Sequence, residues 1–93
     1  MLIRDEAMSS TAVLGREFDD SLRTDLKTVL SELGATFGPV RWGAGGSQQV
    51  ESMSVQVRGQ SLLVEAETYV GLSITGPEEL VAEVESMIKA KRA

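Results

Sequence analysis

Strict alternation of apolar residues between Ser52 and Thr75 constrains the fold of this chain more than any other feature. The apolar positions are odd before the polar stretch at 58–61 and even after it. They are, in chain order, Met53, Val55, Val57, Leu62, Val64, Ala66, Val70, Leu72 and Ile74. Because successive side chains of a strand point to opposite faces, this pattern predicts three antiparallel strands that share one apolar face, at about 50–58, 61–67 and 70–75.

Two short connections are predicted to join these strands. A two-residue turn at Gly59-Gln60 would close the first hairpin and keep every apolar side chain on the same face. The predicted pairs are Val57 with Leu62, Val55 with Val64 and Met53 with Ala66. The second and third strands both have even apolar positions, so their loop needs an odd length, which Glu67-Thr68-Tyr69 provides.

An amphipathic helix is predicted on each side of the strands. The first, at about 20–33, has capping candidates at Asp19 and Asp20 and a terminating Gly34. Its apolar residues are Phe18, Leu22, Leu26, Val29, Leu30 and Leu33. The second begins at Gly76-Pro77, with proline at the first helical position, and its glutamates precede its basic residues, which complements the helix dipole. Its apolar residues are Leu80, Val81, Val84, Met87 and Ile88.

The apolar stripes of both helices need the apolar face of the sheet, which predicts two layers. The expected fold is an α+β two-layer sandwich of order α-β-β-β-α, with both helices on one face of an antiparallel three-stranded meander. A fourth strand at 11–14 or 40–42 is an alternative. Residues 1–16 are expected to be a flexible arm or an edge strand, residues 17–93 a single α+β domain, and residues 43–47 a flexible loop.

The residue inventory excludes several classes of chemistry. The chain has no cysteine and no histidine, which removes thiolate nucleophiles, disulfides, the commonest transition-metal ligand and the commonest general base. Glu65 and Glu67 share a strand face, but a flat polar face lacks the desolvated cleft that carboxylate catalysis requires. We therefore expect no enzyme activity, no catalytic residue, no metal and no cofactor.

Charge and hydropathy restrict the partners and the location. The net charge of −5 disfavours nucleic acid, because binding phosphates requires a basic surface, and suits a basic protein partner. The start of the chain, at 1–6, lacks the apolar stretch of a secretory signal, and no apolar run reaches the roughly 20 residues that span a bilayer. These observations predict a cytoplasmic protein that does not bind membranes.

The order helix, three-stranded meander, helix resembles that of double-stranded-RNA-binding domains over about residues 20–90. Those domains place a lysine-rich motif at the start of the second helix, where it contacts phosphates. The matching segment here reads Gly76-Pro77-Glu78-Glu79-Leu80-Val81-Ala82-Glu83. Its carboxylates would repel phosphate, so the resemblance implies a similar element order and no nucleic-acid partner.

The polar face of the predicted sheet has no helix to cover it and is the expected binding surface. The candidate partner-binding residues on it are Gln56, Arg58, Leu63, Glu65 and Tyr69. Tyrosine and arginine are favoured at binding hot spots. The sequence therefore predicts a small acidic protein–protein interaction module, such as an inhibitor or immunity-type protein that binds a basic partner. Alternatives are a homo-oligomeric structural or assembly subunit, including a homodimer through a strand edge, and a small acidic chaperone-like client binder.

Overall fold

The computed structural model describes residues 9–17, 19–45 and 48–93, without the side chains of residues 42, 44, 45, 48 and 49. Its elements are β1 (Ser9–Gly15), α1 (Asp20–Glu32), β2 (Thr36–Gly45), β3 (Gln48–Val57), β4 (Gln60–Glu67), β5 (Gly71–Pro77) and α2 (Glu78–Lys91). All five strands form one antiparallel sheet in the order β1-β5-β4-β3-β2. The predicted α+β class is confirmed. Phe18, which was assigned to the apolar stripe of the first helix, lies outside the described residues.

The number of strands was predicted wrongly, since the sheet has five strands rather than three or four. Both optional segments are strands: 11–14 lies in β1 next to β5, and 40–42 lies in β2 next to β3. The two added strands also distinguish this sheet from the three-stranded meander of the RNA-binding domains. Strand β2 continues to Gly45 through glycines that were expected to form a loop, because its backbone pairs with β3. Gly46 and Ser47, the rest of that expected loop, lie outside the described residues.

A bulge near the start of β2 requires glycine. The pairing register with β3 shifts between Phe37 and Val40. Within this interval, a Cβ added at Gly38 would lie 2.8 Å from the backbone oxygen of Ser54. Glycine therefore allows the bulged strand to stay against β3.

The β3–β4 hairpin has the predicted faces but not the predicted pairs. Arg58 and Gly59 form its turn with φ values of 51° and 79°, the left-handed conformation of both central residues of a type I′ turn. The turn thus lies one residue earlier than Gly59-Gln60. The observed pairs are Val57 with Gln60, Val55 with Leu62 and Met53 with Val64. A shift of two residues leaves every side chain on its original face.

The β4–β5 loop has the predicted odd length but a different position. It consists of Thr68-Tyr69-Val70, because Glu67 pairs with Gly71. The N–H of Val70 donates to the carbonyl oxygen of Glu67 at 3.2 Å. Val70 is consequently an exposed loop residue, and its assignment to the apolar face of a strand was wrong.

One core lies between the sheet and the two helices. Its buried members from β3, β4 and β5 are the apolar residues of the alternating pattern, and α1 and α2 contribute their apolar stripes to the same cluster. The buried core residues are Leu22, Leu26, Val29, Leu30, Val55, Val57, Leu62, Val64, Ala66, Leu72, Ile74, Leu80, Val81, Val84 and Ile88. Both helices therefore pack on one sheet face, and neither helix covers the opposite face.

Candidate functional site

The sheet face opposite the helices, called the outer face below, is covered by no helix in the described part of the chain. Its members follow from strand register and include Thr11, Val13, Thr36, Arg41, Val50, Ser52, Ser54, Gln56, Ser61, Leu63, Glu65, Glu67, Ser73 and Thr75. Many of these side chains are short and polar. The hydroxyls of Thr11 and Thr75 are 2.8 Å apart and join β1 to β5 across this face.

Leu63 is the apolar centre of the outer face. Its neighbours on the adjoining strands are Ser54 and Thr75, both with shorter side chains. Leu63 is 38% exposed, although it lies on the central strand of the sheet. The exposed part of this leucine is apolar surface, and its removal from water by a partner would be favourable.

The structure brings together three of the predicted partner-binding residues. Gln56, Leu63 and Glu65 all lie on the outer face, and the amide nitrogen of Gln56 donates to the hydroxyl of Ser61 at 2.8 Å. Arg58 does not lie there, because it occupies the hairpin turn and its guanidinium contacts Glu83 of α2. Tyr69 is 71% exposed but lies in the β4–β5 loop, at one end of the sheet. The predicted placement of Arg58 and Tyr69 on the strand face was therefore wrong.

Uncompensated negative charge adjoins Leu63 on β4. Glu65 is next to Ser52 and Ser73 across the strands, and Glu67 follows it on the same face. Neither carboxylate forms an ion pair with a residue in the described ranges. Arg41, across from Ser52 on β2, is the basic member of the outer face. On the outer face, β4 thus presents Leu63 followed by two glutamates.

The acidic residues at the start of α1 act as a helix cap. Asp19 is the N-cap residue, and its Oδ1 accepts hydrogen bonds from the N–H of Leu22 at 3.0 Å and the hydroxyl of Ser21 at 2.8 Å. The bond from Leu22 and, to a smaller extent, the bond from Ser21 lower the pKa of Asp19 below its ordinary value of 3.8. Across the described residues, no group of three or more acidic side chains is arranged to hold a metal ion.

A second surface feature is an apolar cleft between α1 and the inner side of β2 and β3, which sequence reasoning missed. It has a volume of about 460 Å³. Its apolar walls are Leu26, Leu30, Phe37, Val40, Met53, Val64, Ala66 and Leu72, and its charged rim is Arg23, Lys27 and Glu51. The available signal was the apolar pair Phe37 and Val40, which would have indicated this surface had 36–45 been identified as a strand.

No family model, curated protein or solved structure matches this chain. In the ranges that the structure describes, neither helix has the length and apolar character needed to cross a membrane.

Proposed function

We propose that this chain is a small non-enzymatic interaction module that binds a protein with a basic surface through its outer face. The main supporting observation is Leu63, exposed among short polar side chains and adjacent to the unpaired carboxylates of Glu65 and Glu67. Burial of an apolar side chain provides binding energy, and complementary charge provides selectivity and fast association. An inhibitor or immunity-type role and a cytoplasmic location are part of this proposal.

The form of the outer face supports a protein partner rather than a small substrate. Ser54 and Thr75, which flank Leu63 on the adjoining strands, have short side chains, so a partner can approach the sheet closely there. Glu65 and Glu67 lie on this open surface, whereas acid–base catalysis by carboxylates depends on a desolvated cleft. An open sheet face suits contact with a protein better than a small substrate, because small-molecule sites are concave.

Site-specific photo-crosslinking in the source cells tests the contact surface directly. A photoreactive phenylalanine analogue replaces Leu63 in one sample and Ala82, an exposed residue of α2, in the control sample. We expect a crosslinked protein from position 63 and none from position 82. The same protein should have a basic surface and should bind the unmodified chain in purified form.

Charge reversal then tests the electrostatic part of the proposal on the purified pair. Glu65→Lys combined with Glu67→Lys should weaken binding about tenfold or more, a loss of about 1.4 kcal/mol. Glu79→Lys makes the same kind of change on the exposed surface of α2 and should leave affinity within about twofold. Equal affinity of all these variants, or crosslinks only from position 82, would contradict binding through the outer face.

The open sheet edges favour a second candidate, a homo-oligomeric subunit. Strands β1 and β2 each pair with only one neighbour within the described ranges, and Ser9–Gly15 has no charged side chain to prevent edge pairing. Light scattering during gel filtration measures the mass directly. A particle of about 20 kDa, twice the 10.0 kDa chain, would support the oligomer, and a monomer at all concentrations would exclude it.

A further inference from the structure

We infer that the apolar cleft between α1 and the β2–β3 hairpin binds a small amphipathic carboxylate, namely an unbranched fatty-acid anion. The alkyl chain would lie along the apolar walls and the carboxylate would meet Lys27 at the rim. This site is on the helical side of the sheet, opposite the outer face. It is therefore independent of the proposed protein contact.

The cleft exists because the sheet is wider than the two helices that cover it. Neighbouring strands are about 4.8 Å apart, so five strands span roughly 24 Å. Two helices side by side, each about 10 Å wide, cover roughly 20 Å. Helix α2 contacts β1 and β5, so the uncovered strip falls at the other edge, on β2. Val40 of that strand is accordingly 49% exposed.

The walls of the cleft suit an alkyl chain. Phe37, Val40 and Met53 form the partly exposed sheet wall, and the nearly buried Leu26 and Leu30 form the floor on the helical side. The volume of about 460 Å³ lies within the range of small-molecule sites, roughly 300–1,000 Å³. Apolar walls give water few hydrogen-bond partners, so displacement of that water by methylene groups is favourable.

The rim of the cleft selects a negative head group. Arg23 is already engaged, because its Nη1 pairs with Oε1 of Glu51 at 3.2 Å and its Nε donates to the carbonyl oxygen of Glu17 at 2.6 Å. Lys27, one helical turn further along α1, forms no ion pair with any residue in the described ranges. The ammonium of Lys27 thus gives this mouth a net positive charge in a chain of net charge −5.

A titration of the ¹⁵N-labelled protein with hexanoate, octanoate and decanoate, followed by amide chemical shifts, tests the site. We expect the shifted amides to belong to the middle of α1 and to β2 and β3. Each added methylene should lower the dissociation constant about threefold to fourfold, because burial of one methylene contributes about 0.8 kcal/mol. Decyltrimethylammonium, with an alkyl chain one carbon longer and the opposite charge, should bind at least tenfold more weakly than decanoate.

Two variants and two controls separate the head-group contact from the apolar contact. Lys27→Glu should weaken decanoate binding about tenfold, whereas Lys89→Glu, the same change on the surface of α2, should have no effect. Val40→Asp, on the exposed edge strand, should also weaken it, and Leu63→Ser on the outer face should not. Thermal melts verify that each variant is folded.

The inference is overturned by shifts spread over the outer face, by no dependence on chain length, or by equal decanoate affinity of Lys27→Glu and the unmodified protein. Concentration-dependent broadening that includes the amides in the middle of α1 would show that a second copy occupies the cleft, which also overturns the inference. Failure of the crosslinking at position 63 would leave this inference unaffected, so the two proposals can fail separately.

Discussion

The N-cap residue of α1, Asp19, makes the stability of the fold depend on pH. Its carboxylate accepts hydrogen bonds from the N–H of Leu22 and the hydroxyl of Ser21, and these bonds lower its pKa in the folded state. A lowered pKa in the folded state means that the ionised group stabilises the fold above the unfolded value of 3.8. This contribution is lost as the pH falls from 3.8 through the lower pKa of the folded state.

Replacement of Asp19 by asparagine isolates that pH dependence. Asparagine is an equally good N-cap residue but does not titrate. We expect the melting temperature of Asp19→Asn to decrease less than that of the unmodified protein when the pH is lowered from about 7 to about 3. Circular dichroism melts at several pH values provide the comparison. Parallel decreases in the two proteins would show that the cap does not contribute.

At the scale of the element, the β3–β4 turn depends on backbone conformation more than on the side-chain contact of Arg58. Arg58 has a φ of 51°, which is costly for residues with a branched Cβ and acceptable for asparagine. Its guanidinium contacts Glu83 of α2, and this exposed pair contributes little. Arg58→Val and Arg58→Asn both remove the contact, so they differ mainly in backbone strain.

We therefore expect Arg58→Val to be less stable than Arg58→Asn by about 1–2 kcal/mol. Asparagine followed by glycine is the preferred pair in a type I′ turn, so Arg58→Asn should be close to the unmodified protein or above it. Urea unfolding gives the free energies of unfolding. Similar values for the two variants would indicate that the turn is not in the left-handed conformation.

Substitutions on the two faces of β3 should differ more strongly in their effect on stability. Val55 is fully buried opposite Leu62, whereas the preceding Ser54 is exposed on the outer face. Val55→Asp would bury a charge without a partner, so we expect this variant to be unfolded at room temperature. Ser54→Asp adds the same carboxylate one residue away and should cost about 1 kcal/mol or less. Far-ultraviolet circular dichroism distinguishes these outcomes, and a folded Val55→Asp would contradict the core assignment.

Helices and strands with one buried face could be predicted because burial makes apolar residues recur at the spacing of a helix or a strand. This applies to β3, β4, β5 and both helices. The full length of β2 could not be predicted in the same way. Its last three residues, Gly43-Ala44-Gly45, have little or no side chain, so they cannot show an alternation of apolar and polar residues. Alternation also specifies the face of a strand but not its partner residues, so the hairpin pairs could shift by two without changing the pattern.

The same reasoning separates the predictable and unpredictable parts of the outer face. Gln56, Leu63 and Glu65 lie within strands, where alternation determines the side on which a residue lies. Arg58 and Tyr69 lie in a turn and a loop, where the backbone leaves the strand period. The apolar cleft depends on the width of the sheet relative to the helices, which became evident only when β2 was known to be a strand.

At the scale of the whole molecule, the end of α2 is joined to α1 by surface charges. Arg92 contacts Asp25 at 2.9 Å and Asp19 at 3.5 Å, and Lys91 pairs with Glu32 at 3.3 Å. All of these side chains are partly exposed, so their pairing is weakened by solvent and salt. The buried apolar stripes of the two helices should therefore determine most of their packing.

Replacement of Arg92 measures how much the surface ion pairs contribute to stability beside the buried apolar contacts. Arg92→Ala should lower the melting temperature by a few degrees at most, and the difference should become smaller in about 1 M sodium chloride. Lys89→Ala, on the same helix and without an ion pair in the described ranges, is the matched control. A large decrease at low salt that disappears in about 1 M sodium chloride would mean that the charges, rather than the apolar contacts, fix the helices.

The pairing of β1 with β5 joins the first and last strands of the sheet. The ladders among β2, β3, β4 and β5 connect neighbours along the chain, whereas the β1–β5 ladder closes a loop that contains nearly all of the other elements, at a greater entropic cost. We expect β1 to add last during folding and to detach first. A detached β1 leaves a vacant place beside β5 that the same strand of another molecule fits equally well. If two molecules exchanged their β1 strands, each β1 would pair with β5 of the other molecule and form the same hydrogen bonds as within a single chain.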